Sequence, residues 1–240
     1  MNCINYTAAF VTYRYNEGLV ETVNSFFKFT PEEYLSNQII IINNYDDGLD
    51  LHKFEIFELG WVREEVFDTY YENIDVRLIN NYKNQGVARS WNQCIRFANN
   101  KNVLICNDDL KFEQGWFNKI VKLRNENDYE WIGHPSCYMF NKNLLKSVGY
   151  YDERFTEGGW EDDDYRIRMQ QANVKFFEEK GLLAFNIKAG KIGTRPERYI
   201  FDNRNYNKFI FEKKWQKVGK VFIRNKGWKE EINWYPKDNI

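Results

Sequence analysis

Asn102-Val103-Leu104-Ile105-Cys106-Asn107-Asp108-Asp109 decides how this chain is read. Four consecutive apolar residues lack the alternation of a half-exposed strand, so the segment reads as a strand buried on both faces, as inside a parallel sheet. It then breaks into an amide and two carboxylates, which marks a polar strand terminus. Two earlier stretches repeat the pattern. Ala8-Ala9-Phe10-Val11-Thr12 runs into Tyr13-Arg14-Tyr15-Asn16-Glu17-Gly18, and Gln38-Ile39-Ile40-Ile41-Ile42 runs into Asn43-Asn44-Tyr45-Asp46-Asp47-Gly48. Val76 to Ile79 supplies a further strand. Helical spacing fills the gaps: Leu19, Val23, Phe26 and Phe27, then Leu51 to Tyr71, then about Val87 to Ala98. Strands alternating with helices predict an α/β fold with a largely parallel central sheet. In such sheets ligands bind at the carboxyl ends of the strands, where residues 13–17, 43–47 and 107–109 would gather.

The totals bound the function. A chain of 240 residues with 43% hydrophobic and 29% charged residues suits one globular domain. Its 34 basic and 35 acidic side chains leave a formal charge of -1, so no global field draws nucleic acid. No apolar run has the length of a membrane span, and the N-terminus does not read as a signal peptide. Cys3, Cys94, Cys106 and Cys137 form no C-x-x-C pair and read as reduced, buried thiols of a cytoplasmic protein, peripheral membrane association being the variant. With only His52 and His134, a histidine zinc site or a Ser-His-Asp triad fits poorly. Aromatic residues make up 18%, more than cores usually need, and surplus Tyr and Trp often line sites for ring-shaped ligands.

In the second half, a helix is expected from Gly115 to about Arg124, followed by a turn at 125–128. Strands are expected at Trp131–Gly133 and Cys137–Phe140, around Pro135. A short helix from Asn143 to Val148 is closed by Gly149; late strands follow at 174–177 and 183–187, then a helix from Tyr199 to Trp215. Gly158-Gly159-Trp160-Glu161-Asp162-Asp163-Asp164 opens another helix, with Tyr165, Met169 and Ala172 spaced for one buried face. Acids in a first helical turn are favoured by unpaired N–H groups and the helix dipole, so capping is one reading. Four of them exceed what a cap needs, and mutually repelling carboxylates suggest a site. Asp108-Asp109 likewise reads either as an Asn/Asp turn or as hard oxygen ligands for Mg²⁺ or Mn²⁺. The chain lacks both G-x-x-x-x-G-K-[ST] and G-x-G-x-x-G.

Taken in order, Ala9 to Glu17, Asn84-x-Gly86-x-Ala88-x-x-x-Asn92, Leu104 to Asp109, Leu144 to Phe155 and Gly158 to Asp164 resemble a GT-A fold glycosyltransferase, nearest the inverting family 2. The resemblance covers about residues 5–215. It implies a Rossmann-like α/β fold in a single domain over 1–240. The nucleotide-sugar-binding half would occupy about 1–110, the acceptor half about 111–215, and a helical, aromatic extension about 216–240. Thr12, Tyr13, Tyr15 and Glu17 would hold the nucleotide, Asn43 and Asn44 would face the base, and Asn84 and Gly86 would complete the donor site. Asp108 would approach ribose or metal, and Asp109 would coordinate a bridging Mn²⁺ or Mg²⁺. Asp162 would be the general base, with Trp160 and Glu161 bordering the acceptor. Three departures stand out. Asn43 and Asn44 replace a frequent Asp, Asn107 replaces the first acid of the usual triplet, and no histidine follows the acidic helix, where Lys188, Lys191 or Arg195 would supply charge instead.

The expected activity is metal-dependent, inverting transfer of a hexose or deoxyhexose. The donor would be UDP-, GDP- or dTDP-linked, and the acceptor a hydroxyl of a glycan, glycoprotein or glycolipid. A sugar nucleotidyltransferase and a non-catalytic carbohydrate-binding protein on the same fold are the alternatives. The first would carry a Gly-rich loop after its first strand, where this chain has the single Gly18.

Overall fold

The computed structural model describes residues 4–13, 16–45, 74–186, 204–218 and 233–236. The expected helix at 51–71, the turn after Tyr45 and the basic residues at 188–198 lie outside them. The elements in order are β1 (Tyr6–Thr12), α1 (Asn16–Phe29), a 3₁₀ turn (Glu32–Tyr34), β2 (Gln38–Asn43), β3 (Asp75–Asn80), α2 (Val87–Phe97), β4 (Asn102–Asn107), β5 (Leu110–Phe112) and α3 (Trp116–Asn127). There follow β6 (Trp131–His134), β7 (Cys137–Asn141), α4 (Leu144–Ser147), α5 (Glu161–Gln171), β8 (Phe176–Glu178), β9 (Ala184–Asn186), α6 (Arg204–Lys214), β10 (Trp215–Val218) and β11 (Asn233–Pro236).

The expected mixed α/β architecture with a mostly parallel central sheet is what forms. Seven strands line up as β3-β2-β1-β4-β7-β6-β8. The four on the β3 side are parallel, whereas β7 runs antiparallel to both β4 and β6. Side chains alternate across the sheet, so each strand serves two cores. Ala8, Phe10, Ile39, Ile41 and Leu104 pack under α1 and α3. Ala9, Ile40, Ile42, Val103 and Ile105 face α2 and α5. This two-sided burial explains why β2 and β4 read as unbroken apolar runs.

Some boundaries shift for physical reasons. α3 continues to Asn127 and stops only when Asp128 takes a left-handed conformation (φ 53°), its N–H bonding to the Arg124 carbonyl. The last helix stops at Lys214, because Trp215 starts a strand paired with Asn233–Pro236; its expected start at Tyr199 lies outside the described residues. Ala172 is half-buried, so the buried stripe of α5 rests on Tyr165 and Met169. No sequence signal marked β5. Thr22 Oγ1 accepts from the Leu110 N–H (2.9 Å) and donates to the Leu110 carbonyl (2.9 Å), and Ser25 Oγ accepts from Phe112 (2.9 Å). Two buried hydroxyls of α1 thus turn the chain back directly after Asp109. Among the described residues, no helix is long and apolar enough to cross a membrane.

Candidate active site

Register brings the polar strand ends together. Thr12, Asn43 and Asn80 are direct neighbours across β1, β2 and β3, and Asn107 lies beside Val11. Asp108 and Asp109 form the whole connection between β4 and β5, so both ends of this turn are anchored. Asp108 is 4% exposed; its Oδ2 accepts from the Thr12 hydroxyl (2.7 Å) and the Tyr13 N–H (3.2 Å). Buried Thr12 therefore acts on Asp108. Asp109 is half-buried on the same turn, and Tyr13 and Tyr45, just past the ends of β1 and β2, set two rings 6.3 Å apart, edge to face. The Tyr15 and Glu17 side chains lie outside the described residues.

Asn43 and Asn44 are both buried. Asn43 pairs with Asn80 (2.9 Å), while Asn44 donates to Ser90 (2.8 Å) and accepts from Asn81 (2.9 Å). Their amides lock the ends of β2 and β3 to α2. Ser90 in turn donates to the Gly86 carbonyl (2.6 Å), and Gly86 N–H reaches the Asn84 side chain (2.9 Å). Gly86 does mark a close approach, but the approaching group is this chain's own backbone. With φ at 79°, a Cβ there would lie 2.6 Å from the Glu157 nitrogen, and Val87 N–H bonds to the Glu157 carbonyl (2.8 Å). The loop leading into the acidic helix is docked against the start of α2.

Two asparagines that the motif reading had not assigned hold that loop. Asn92 exchanges bonds with the Tyr151 backbone (both 2.9 Å) and donates to Glu153 (2.9 Å). Asn207, fully buried in α6, donates to the carbonyls of Thr156, Gly158 and Gly159 and accepts from Thr156 N–H (3.0 Å). The only available signal was an amide in a helix, and neither periodicity nor spacing gives that a partner. Trp160 enters α5 in a left-handed conformation (φ 76°), its half-buried ring 4.9 Å from Phe211.

The four acids of α5 separate by environment. Asp164 is fully buried and accepts from Arg168 (2.9 Å), Trp215 Nε1 (2.9 Å) and Lys214 (2.7 Å). Asp163 pairs with Arg166 (2.8 Å), which grips Glu178 of β8 with two bonds (2.6 and 2.7 Å). These two tie α5 to its neighbours. Glu161 and Asp162 have no ion-pair partner among the described residues. Glu161 is 5% exposed and its Oε2 has no hydrogen-bond partner. Burial, and then the charge on Asp162, push its carboxyl up to about 8. Asp162 is half-buried and opens on a narrow crevice of about 10 Å³, whose walls include Trp91, Trp131, Tyr151, Arg166 and Glu178. His134, at the end of β6, lies in the field of Glu178 and Asp162; burial holds it below its ordinary value. Its Nδ1 lies 3.0 Å from the Ser136 hydroxyl and 3.3 Å from the Ser136 backbone nitrogen.

Among the described residues, no three His, Cys, Asp or Glu side chains converge as a metal cage. The Asp108-Asp109 turn instead offers hard carboxylate oxygens from one short segment. That fits Mg²⁺ or Mn²⁺, which take one or two carboxylates and complete their shell with substrate phosphates and water.

The sequence model described as Glycosyl transferase family 2 matches residues 7–184. No curated protein matches the sequence significantly. Among solved structures, the chain is similar to the mannosyltransferase PcManGT from Pyrobaculum calidifontis in complex with GDP-Man and Mn²⁺ (13% identity, TM-score 0.57, 79% of this chain and 58% of that one). It is also similar to GalNAc-T7 with UDP, GalNAc and Mn²⁺ (12%, 0.56, 78% and 44%) and to TarS of S. aureus (13%, 0.55, 78% and 37%). The likeness establishes the GT-A fold. This chain spans about six tenths or less of the length of those proteins.

Proposed function

This chain belongs to glycosyl transferase family 2, and from that premise we propose that it transfers a sugar from a nucleotide-sugar to an acceptor hydroxyl with inversion, assisted by a divalent cation. The observation that carries the reading is the division of the acids of α5. Asp163 and Asp164 are neutralised by cations, whereas Asp162 opens on a cleft with no ion-pair partner among the described residues. A general base needs such an uncommitted carboxylate within reach of the proton it removes.

Asp162 takes the acceptor proton as the acceptor oxygen attacks the anomeric carbon, and the bond to the diphosphate breaks with its electron pair on the leaving oxygen. Backside displacement of this kind inverts the anomeric centre. Asp109 and Asp108 would hold the cation, and the chemistry it supplies when bound is neutralisation of the departing diphosphate charge. Thr12 and the Tyr13 N–H orient Asp108 for that task. Tyr13, Tyr15, Glu17 and the Asn44–Ser90–Gly86–Asn84 chain would shape the donor half, about 1–110, with Trp160 and Glu161 bordering the acceptor in the half at about 111–215. The donor is UDP-, GDP- or dTDP-linked and the acceptor a glycan or glycoconjugate. Trp160, half-buried at the entry to α5, would offer an aromatic face to a sugar ring.

The deciding experiment incubates the protein with a panel of nucleotide-sugars and Mn²⁺, without and with simple glycoside acceptors. Release of free nucleotide diphosphate, increased by one acceptor class, is expected. Formation of nucleoside triphosphate and sugar-1-phosphate when pyrophosphate is added, or no turnover of any donor, would overturn the proposal.

A further inference from the structure

Resting on the transfer reading, we infer that Glu161 keeps its proton in the folded protein and presents a neutral carboxyl beside the base Asp162. A carboxyl buried without a cation partner resists ionisation, and the charge of a nearby carboxylate adds to that resistance. Glu161 is 5% exposed with an unpartnered Oε2, while Asp162 is half-buried at a cleft.

The surrounding charges agree. On α5, Asp163 is matched by Arg166, and Asp164 by Arg168 and Lys214. In the preceding loop, Asp152 holds Arg154 and Lys214, and Glu153 holds the α2 residues Arg89 and Arg96. On α6, Lys208 pairs with Glu212 and Lys213 lies over Phe209. Among the described residues, Glu161 has no ion-pair partner, and its Oε2 accepts no hydrogen bond. The N–H groups of Glu161 and Gly159 favour its charged form, but burial and the charge on Asp162 outweigh them. Glu161 is a positioning residue in this scheme, acting through Asp162.

The test follows the proton and needs no substrate. ¹³C-Glu spectra of the wild type and of Glu161→Gln, recorded from pH 4 to 10, identify the Glu161 carboxyl by difference. A midpoint near 8 is expected, and one between 4 and 5 overturns the proposal. Stability supplies a second readout. A carboxyl raised on folding favours the native state most below its unfolded value near 4.5, and that advantage disappears as pH rises through the folded value. The wild-type folding constant, divided by that of Glu161→Gln, should therefore fall by close to tenfold per pH unit between about 5 and 8 and then level off. A ratio independent of pH overturns the inference. Once a donor is identified, wild-type turnover should decline above about pH 8 and Glu161→Gln should lack that decline. If the carboxyl titrates near 8 but no donor is turned over, the proton assignment stands and the transfer reading fails.

Discussion

Asp162 and Asp164 show how little residue type decides alone. They are two positions apart on α5, yet one faces a cleft and the other is fully buried among Arg168, Lys214 and Trp215. Asp162→Asn removes the proton acceptor and leaves the fold's cation pairs intact. Turnover should fall about 10²–10⁴-fold while UDP or GDP affinity by calorimetry stays within twofold; wild-type turnover would remove Asp162 from the base role. Asp109→Asn, by contrast, should abolish the Mn²⁺-dependent gain in thermal stability with a nucleoside diphosphate, a gain of about 2.7 kcal/mol expected for the wild type at 100 times Kd. An equal gain in both proteins would place the cation elsewhere. The sequence offered both acids as candidates, because carboxylates at a strand end and at a helix start are legible as motifs. The family resemblance singled out Asp162 as base and left Asp164 to the framework; residue type and spacing alone do not separate them, since Lys214 and Trp215 reach Asp164 from far along the chain.

At the scale of elements, the site depends on how the loop before α5 is held. Gly86 meets the Glu157 backbone, Asn92 meets Tyr151, and Asn207 spans Thr156 to Gly159. Gly86→Ala forces a side chain into a left-handed backbone and against the Glu157 nitrogen, a combination that should cost about 1–3 kcal/mol in urea unfolding. An unchanged midpoint would contradict the contact. Lys214 joins α6 to both Asp152 and Asp164. Lys214→Met strands part of a buried carboxylate's charge and should cost about 3 kcal/mol. Burial pushes the Asp152 carboxyl up, yet Arg154 and Lys214 hold it well below the ordinary carboxylate range. Its stabilisation is therefore complete above about pH 4 and is lost as pH falls below that. Acid unfolding of Lys214→Met should accordingly begin at higher pH than in the wild type. The strands and most helices were legible, because apolar periodicity is a local property. β5 and the Asn207 clasp were not, since each depends on a hydroxyl or an amide meeting a distant backbone.

For the whole molecule, chelation is the informative perturbation. EDTA should stop transfer and Mn²⁺ or Mg²⁺ should restore it without any change in far-UV circular dichroism, because among the described residues no metal cage braces the fold. Full activity in EDTA would exclude a cation from the reaction. The sequence by itself determined the α/β class, the order of the strands along the chain and the polar ends that follow β1, β2 and β4. Those features follow from apolar runs and turn chemistry within a dozen residues. Only the tertiary structure decided that β7 runs antiparallel between β4 and β6, that Gly86 receives the acid-bearing loop, and that two of four adjacent acids are spent on Arg166, Arg168 and Lys214. Burial and charge pairing belong to the assembled neighbourhood, so the ionisation of a carboxyl is set by the residues folded around it.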